Sequence, residues 1–124
     1  MKILESAENY LEAILIIKKN KGNVRAIDIV NYLNFSKPSV SVAMKQLETN
    51  GYITRNEDGH IFLTGMGLEI ANKIYERHSL LNEIFLHIGV SEKTAAEDAC
   101  KIEHDLSQET FECIKRYFNN LCDK

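Results

Sequence analysis

Ser36-Lys-Pro-Ser-Val-Ser-Val-Ala-Met-Lys-Gln-Leu-Glu-Thr-Asn50 decides the fold. Ser36 is a strong N-cap residue type, and Pro38 falls in the first turn, where a missing N–H costs nothing. Gly51 supplies the stop. Between them Val40, Ala43, Met44 and Leu47 recur at helical spacing and define a core face. Pro38, Val42, Lys45 and Thr49 fall opposite, with Ser39 and Gln46 beside them. Just upstream, Ile27, Val30 and Tyr32-Leu33 predict a short helix over 26–33, and Asn34-Phe35 makes a tight turn. Two short helices joined in this way are a helix-turn-helix, whose second helix presents its outward face to the major groove.

Downstream, Tyr52-Ile-Thr-Arg55 and His60-Ile-Phe-Leu63 alternate in polarity around Asn56-Glu-Asp-Gly59, which predicts a β-hairpin. A hairpin directly after a helix-turn-helix is a wing. Upstream, Tyr10, Leu11, Ile14, Leu15 and Ile17 predict a first helix over 5–20. Glu5 and Glu8 lie at its start, and Lys18, Lys19 and Lys21 at its end. Thr64 is placed to cap a long fourth helix that Gly89 ends. Ser91 is placed to cap a fifth, running to about Asp105, and Ser107 a sixth striped by Phe111, Ile114, Tyr117, Phe118 and Leu121. The expected fold is mainly α: a winged helix-turn-helix DNA-binding lobe over 1–72, and a helical dimerisation and metal-binding lobe over 73–124.

The 124 residues are 44% hydrophobic and 27% charged, as in ordinary globular proteins. No apolar stretch reaches membrane-spanning length, and charge appears at once in Met1-Lys-Ile-Leu-Glu5, so neither a membrane partner nor a leader is expected. A cytoplasmic location follows. Cys100, Cys113 and Cys122 are an odd number, which disfavours a disulfide framework. The net charge of −3 lies wholly in the C-terminal lobe, and the N-terminal lobe is neutral. DNA binding must therefore use local basic positions, not a global field. The C-terminal lobe is small for an independent core, so its surplus apolar stripe calls for a second copy. A C2 homodimer also suits a palindromic operator with half-sites one turn apart.

One stretch carries chemistry. In Asp98-Ala-Cys-Lys-Ile-Glu-His-Asp-Leu106, Cys100, Glu103 and His104 stand at i, i+3 and i+4, on one helical face. Thiolate, carboxylate and imidazole are all donors for a first-row transition metal. Singly, Cys100 reads as a small hydrophobe and the Glu-His pair as a solvated face. His78 on helix four, and Asn9 with Glu12 on helix one, are further donors.

Glu8-Asn-Tyr-Leu-Glu12, Ser36-Lys-Pro-Ser-Val-Ser41, Leu63-Thr-Gly-Met-Gly67, Arg77-His78 and Ala99-Cys-Lys-Ile-Glu-His-Asp-Leu-Ser107 together resemble the diphtheria toxin repressor family of metal-dependent transcriptional regulators, which includes a manganese branch. The likeness runs nearly end to end. It implies a repressor, not an enzyme, with no small-molecule substrate. It also implies a short form, without the C-terminal SH3-like domain of some members. In the iron branch the primary site resembles Cys100, Glu103 and His104, with methionine where Asn9 stands. In the manganese branch glutamate replaces Cys100 and aspartate replaces Asn9, and residues matching Glu12 and His78 are ligands. Asn82 and Ala96 stand where the iron branch's second site has a carboxylate and a histidine. The implied ligand set is Cys100, Glu103, His104, His78, Glu12 and Asn9.

A thiolate favours Fe(II), with Mn(II) as the alternative; Zn(II), Co(II) or Ni(II) would bind in vitro. An ion joining helix one to helices four and five would fix the spacing of two recognition helices. Ser36, Pro38, Ser39, Ser41 and Val42 are expected near base edges and phosphates, and Lys37, Lys45, Arg25 and Arg55 on phosphates. That face lacks the side chains suited to bidentate base reading, so thymine methyls and DNA shape should carry specificity. Two other readings compete: a redox sensor using the Cys100 thiol, and a small metal hydrolase, which would need an open coordination position beside a general base.

Overall fold

The computed structural model describes residues 5–122, without the Cys122 side chain; Met1–Leu4, where no leader was expected, lie outside the described residues. The described residues form helices α1 (Glu5–Lys21), α2 (Ala26–Leu33), α3 (Lys37–Thr49), α4 (Gly65–His87), α5 (Glu92–Ile102) and α6 (Gln108–Cys122), with strands β1 (Ile53–Arg55) and β2 (Ile61–Leu63). The chain divides into two compact units, Met1–Lys73 and Ile74–Lys124, and the division falls within α4. No helix among the described residues is long and apolar enough to cross a membrane.

In the first unit α1 is the central element. Tyr10 through Leu15 are all buried, as is Ile17, so the helix is covered on nearly every side. It packs against α2, α3 and β2. The turn before α3 depends on Asn34, which adopts the left-handed conformation at φ 60°, a region where asparagine is tolerated better than most residues. Phe35 then meets Tyr10 edge to face at 5.8 Å. Ser36 caps α3 as expected, its Oγ accepting from the Ser39 N–H at 3.3 Å.

The wing is an antiparallel pair with Thr54 opposite Phe62. Ile53 and Ile61 point inward and are buried. Asn56 Oδ1 organises the turn, accepting from the N–H groups of Asp58 at 3.0 Å and His60 at 2.9 Å. Across the other edge of β2, Ile61 N–H donates to the Val24 carbonyl at 2.8 Å. Val24 is buried and extends the sheet by one link, a role that no periodicity announces. Lys18 lies over the Phe62 ring at 5.6 Å.

Thr64 caps α4 with its Oγ1, which accepts from Gly67 N–H at 3.2 Å and donates to the Gly51 carbonyl at 2.7 Å. Gly67 is obligatory for a steric reason. A Cβ there would stand 2.1 Å from the Tyr52 carbonyl oxygen, closer than any real contact allows.

In the second unit α5 is shorter than the expected run to Asp105. It ends at Ile102, and residues 103–106 form turns. Ser91 occupies the N-cap of α5 with extended backbone, but its side chain makes no capping hydrogen bond. Ser107 does cap α6, accepting from Thr110 N–H at 3.1 Å. Ala95, Ala99 and Glu103 form the buried line of α5 and its end. Phe111 and Phe118 anchor α6, and Phe118 meets His87 edge to face at 5.7 Å.

Candidate functional site

On α4 the buried stripe runs Ala71, Ile74, Arg77, Leu81. A guanidinium thus occupies a core position, only 4% exposed. Burial of a charge is costly unless its donors are satisfied. Arg77 Nη1 donates to the carbonyls of Glu103 at 3.0 Å and Leu106 at 2.7 Å, and Nη2 donates to Gln108 Oε1 at 3.1 Å. Its Cζ lies 5.3 Å from the Phe111 ring centre. Carbonyls just past the end of a helix lack intrahelical partners and carry partial negative charge, so a cation here is well placed.

His78 follows Arg77 on the same helix and is half-buried. Its Nδ1 lies 2.9 Å from Glu103 Oε2. His104 Nε2 lies 3.3 Å from the other carboxylate oxygen, Oε1. Glu103 itself is fully buried at 0% exposure. One inaccessible carboxylate therefore stands between two imidazoles. A cluster of carboxylate oxygen and imidazole nitrogen in a protected pocket is a donor set that fits a first-row divalent cation.

The structure brings together three of the expected ligands in this unit: His78, Glu103 and His104. Cys100 lies one turn before Glu103 on α5 and is exposed. Asn82, one turn on from His78, buries an Oδ1 that has no hydrogen-bond partner among the described residues. In the first unit Glu12 is buried on α1 and Asn9 is half-buried one turn earlier. Arg77 was not singled out as functional by the sequence. Its signal was there: a charged residue in register with Ile74 and Leu81 on an apolar stripe.

The candidate nucleic-acid face belongs to the first unit. Val40, Met44 and Leu47 are buried as expected, and Ser36, Lys37, Pro38, Ser39, Ser41, Val42, Lys45, Gln46 and Thr49 are all exposed. Val42, an aliphatic residue on this otherwise polar face, is 57% exposed. Arg25 is exposed at the N-cap of α2, where its backbone N–H donates to Asp28 Oδ2 at 2.9 Å. Lys21 Nζ reaches Asp28 Oδ1 at 2.6 Å, and this hydrogen bond holds the Asp28 carboxyl below its ordinary range. Arg55 in β1 is engaged by Glu48 of α3, Nη2 to Oε1, at 2.9 Å.

Comparison with known proteins adds to this geometry. Residues 2–61 match the N-terminal DNA binding domain of iron dependent repressors, and residues 64–122 match their metal binding and dimerisation domain. An uncharacterized HTH-type transcriptional regulator of Methanocaldococcus jannaschii is 38% identical over 123 residues, which cover 97% of this chain and 98% of that protein. The transcriptional regulator MntR of Escherichia coli is 32% identical over 113 residues, covering 91% of this chain and 73% of that one. Among solved structures, IdeR of T. acidophilum superposes with a TM-score of 0.80 at 26% identity, covering 96% of this chain. This chain spans only 55% of that structure's length.

Proposed function

The chain belongs to the iron dependent repressor family of metal-dependent transcriptional regulators, and from that premise we propose that it is a cytoplasmic repressor that binds a palindromic operator as a homodimer when a divalent cation is bound. The observation that carries the reading is Glu103, a fully buried carboxylate between His78 and His104. Glu103, His78 and His104 would hold the ion, with Cys100, Glu12 and Asn9 completing the set. The ion supplies positive charge and fixed coordination directions. The residues would do the rest: Glu103 and His78 tie the end of α5 to α4, and ligation by Glu12 and Asn9 would commit α1 to the same ion. If about 1% of apo molecules hold the operator-competent arrangement, making it dominant takes roughly 5 kcal/mol of differential cation affinity.

The exposed face of α3 would read DNA. Ser36, Ser39 and Ser41 offer hydroxyls, and Val42 and Pro38 offer apolar contact to thymine methyls. Lys37, Lys45 and Arg25 would neutralise phosphates. Arg55 would have to exchange Glu48 for a phosphate. The second copy would cover the apolar surface of α6 and the end of α4, where Tyr117 and, just past α4, Ile88 are each 70% exposed.

Two metals fit, and Cys100 separates them. Ligation by its thiolate favours Fe(II). The exposure of Cys100 beside buried oxygen and nitrogen donors favours Mn(II) as a second reading. The test has two steps. Apo protein is titrated with Fe(II) under anaerobic conditions, and with Mn(II) and Zn(II), for the wild type and Cys100→Ala. Random duplex DNA is then enriched on the protein with and without each metal. Metal-dependent enrichment of a palindrome supports the proposal, and enrichment that ignores metal overturns it. Loss of Fe(II) binding in Cys100→Ala favours iron; unchanged Mn(II) binding with weak Fe(II) binding favours manganese.

A further inference from the structure

We propose that Arg77 is the positioning residue of the metal centre, setting the backbone that carries Glu103 and His104 while its neighbour His78 engages the Glu103 side chain. The inference rests on the reading of His78 and Glu103 as ligands. Consecutive residues of one helix grip Glu103 at two points. Arg77 Nη1 holds its carbonyl at 3.0 Å, and His78 Nδ1 meets its carboxylate at 2.9 Å. The second Nη1 bond, to Leu106 O at 2.7 Å, fixes the far side of the turn, so His104 lies between two anchored carbonyls. Nη2 ties the same guanidinium to Gln108, the first residue of α6, and the Phe111 ring closes over it.

The economy of this arrangement points to function as well as packing. Residues 103–106 are a turn, joined to α5 by Glu103 N–H to the Ala99 carbonyl and Asp105 N–H to the Ile102 carbonyl, both at 3.1 Å. A guanidinium is rigid and planar and offers several fixed donors, so it can hold the turn's carbonyls in place; a lysine is a point charge on a flexible stem and cannot hold both in fixed directions. Cation affinity is sensitive to groups that orient ligands without touching the ion, and their loss commonly costs 10- to 100-fold. Arg77 is such a group, acting through the main chain where most act through a ligand's side chain.

The experiment compares wild type, Arg77→Lys and Gln108→Ala in the full chain. Co(II) serves as the spectroscopic probe and Mn(II) as the affinity probe. The expected result is altered Co(II) absorption at saturation in Arg77→Lys, with Mn(II) affinity lower by at least about tenfold. Gln108→Ala should move both readouts in the same direction by less. A purely structural Arg77 would lower the apo unfolding midpoint and leave the saturated Co(II) spectrum as in wild type; that outcome overturns the proposal. If Arg77→Lys does not fold, Gln108→Ala decides, because Gln108 is exposed and its loss removes only one of the three bonds. A wild type that takes up neither Co(II) nor Mn(II) is a separate result: it overturns the metal reading itself, and this inference with it.

Discussion

The two units sort their side chains differently. In the helix-turn-helix unit apolar residues fill the inside around α1, with Glu12 buried among them, and the mostly polar working face of α3 is outside. In the helical unit Arg77 and Glu103 are inside, and Ile88 and Tyr117 are outside. Burying charge and exposing contiguous apolar surface are both unfavourable, so the second unit, although Phe111 and Phe118 are buried in it, is a poor isolated domain. Under the proposed function a cation would compensate the buried carboxylate, and a second copy would cover the apolar face. The first unit's core is mostly completed by its own sequence, whereas under the proposed function the second is completed by what it binds.

The largest expected effect follows from the buried carboxylate. Glu103→Gln keeps the shape and removes the charge. Under the proposed function it should abolish metal-dependent DNA binding, a loss of roughly 5 kcal/mol of coupling. The apo protein should lose only about 1 kcal/mol or less, because the glutamine amide can keep the hydrogen bond to His78. Calorimetric metal titration and urea unfolding of the same samples check both halves. A variant that lost more apo stability than this and kept its metal response would break the contrast between the units.

A backbone effect in the first unit comes next. Gly67→Ala drives a methyl into the Tyr52 carbonyl and should destabilise by about 3 kcal/mol, the upper end of overpacking costs. Thermal or urea unfolding measures it, and the change should not depend on metal. Smaller again is the effect expected at the proposed interface. Tyr117→Asp places a charge on the exposed apolar face and should weaken self-association by about 2 kcal/mol, or some 30-fold in dissociation constant. Sedimentation reads it directly. Metal uptake per chain should survive, because no proposed ligand lies on that face.

This contrast also explains how much the sequence disclosed. The first unit was legible because local rules suffice there. Ser36 is a cap by residue type, Asn34 tolerates the turn, and Val40, Met44 and Leu47 keep the helical period. Val24 was not legible, since pairing one residue with Ile61 across a distance in sequence leaves no pattern. In the second unit the donors Glu103, His104 and His78 could be named, but the burial that unites them could not. The end of α5 was overestimated at Asp105 because apolar spacing continues through Leu106. The actual stop is a tertiary matter: Arg77, distant in sequence, takes the carbonyls of Glu103 and Leu106. Gly67 was visible only as part of a resemblance, and its cause is a carbonyl fifteen positions earlier.

The smallest effect tests whether the first unit is as self-sufficient as its burial implies. Asp28 ties α2 back to the end of α1. It accepts from Lys21 Nζ at 2.6 Å and from Arg25 N–H at 2.9 Å, and the Lys21 hydrogen bond is the larger cause of its lowered pKa. A carboxyl whose folded pKa is depressed adds stability that is present above its unfolded value, about 3.9. That stability is lost as pH falls through the lower folded value. Asp28→Asn should therefore cost less than about 1 kcal/mol near neutrality, because Lys21 is mostly solvated and the amide can still accept from Arg25. The difference between variant and wild type should shrink as pH falls below about 4 and be insensitive to added metal. Urea unfolding across pH, with and without Mn(II), measures both dependences. A metal-sensitive difference at this position would mean that the helix-turn-helix unit, too, relies on the ion for its internal order.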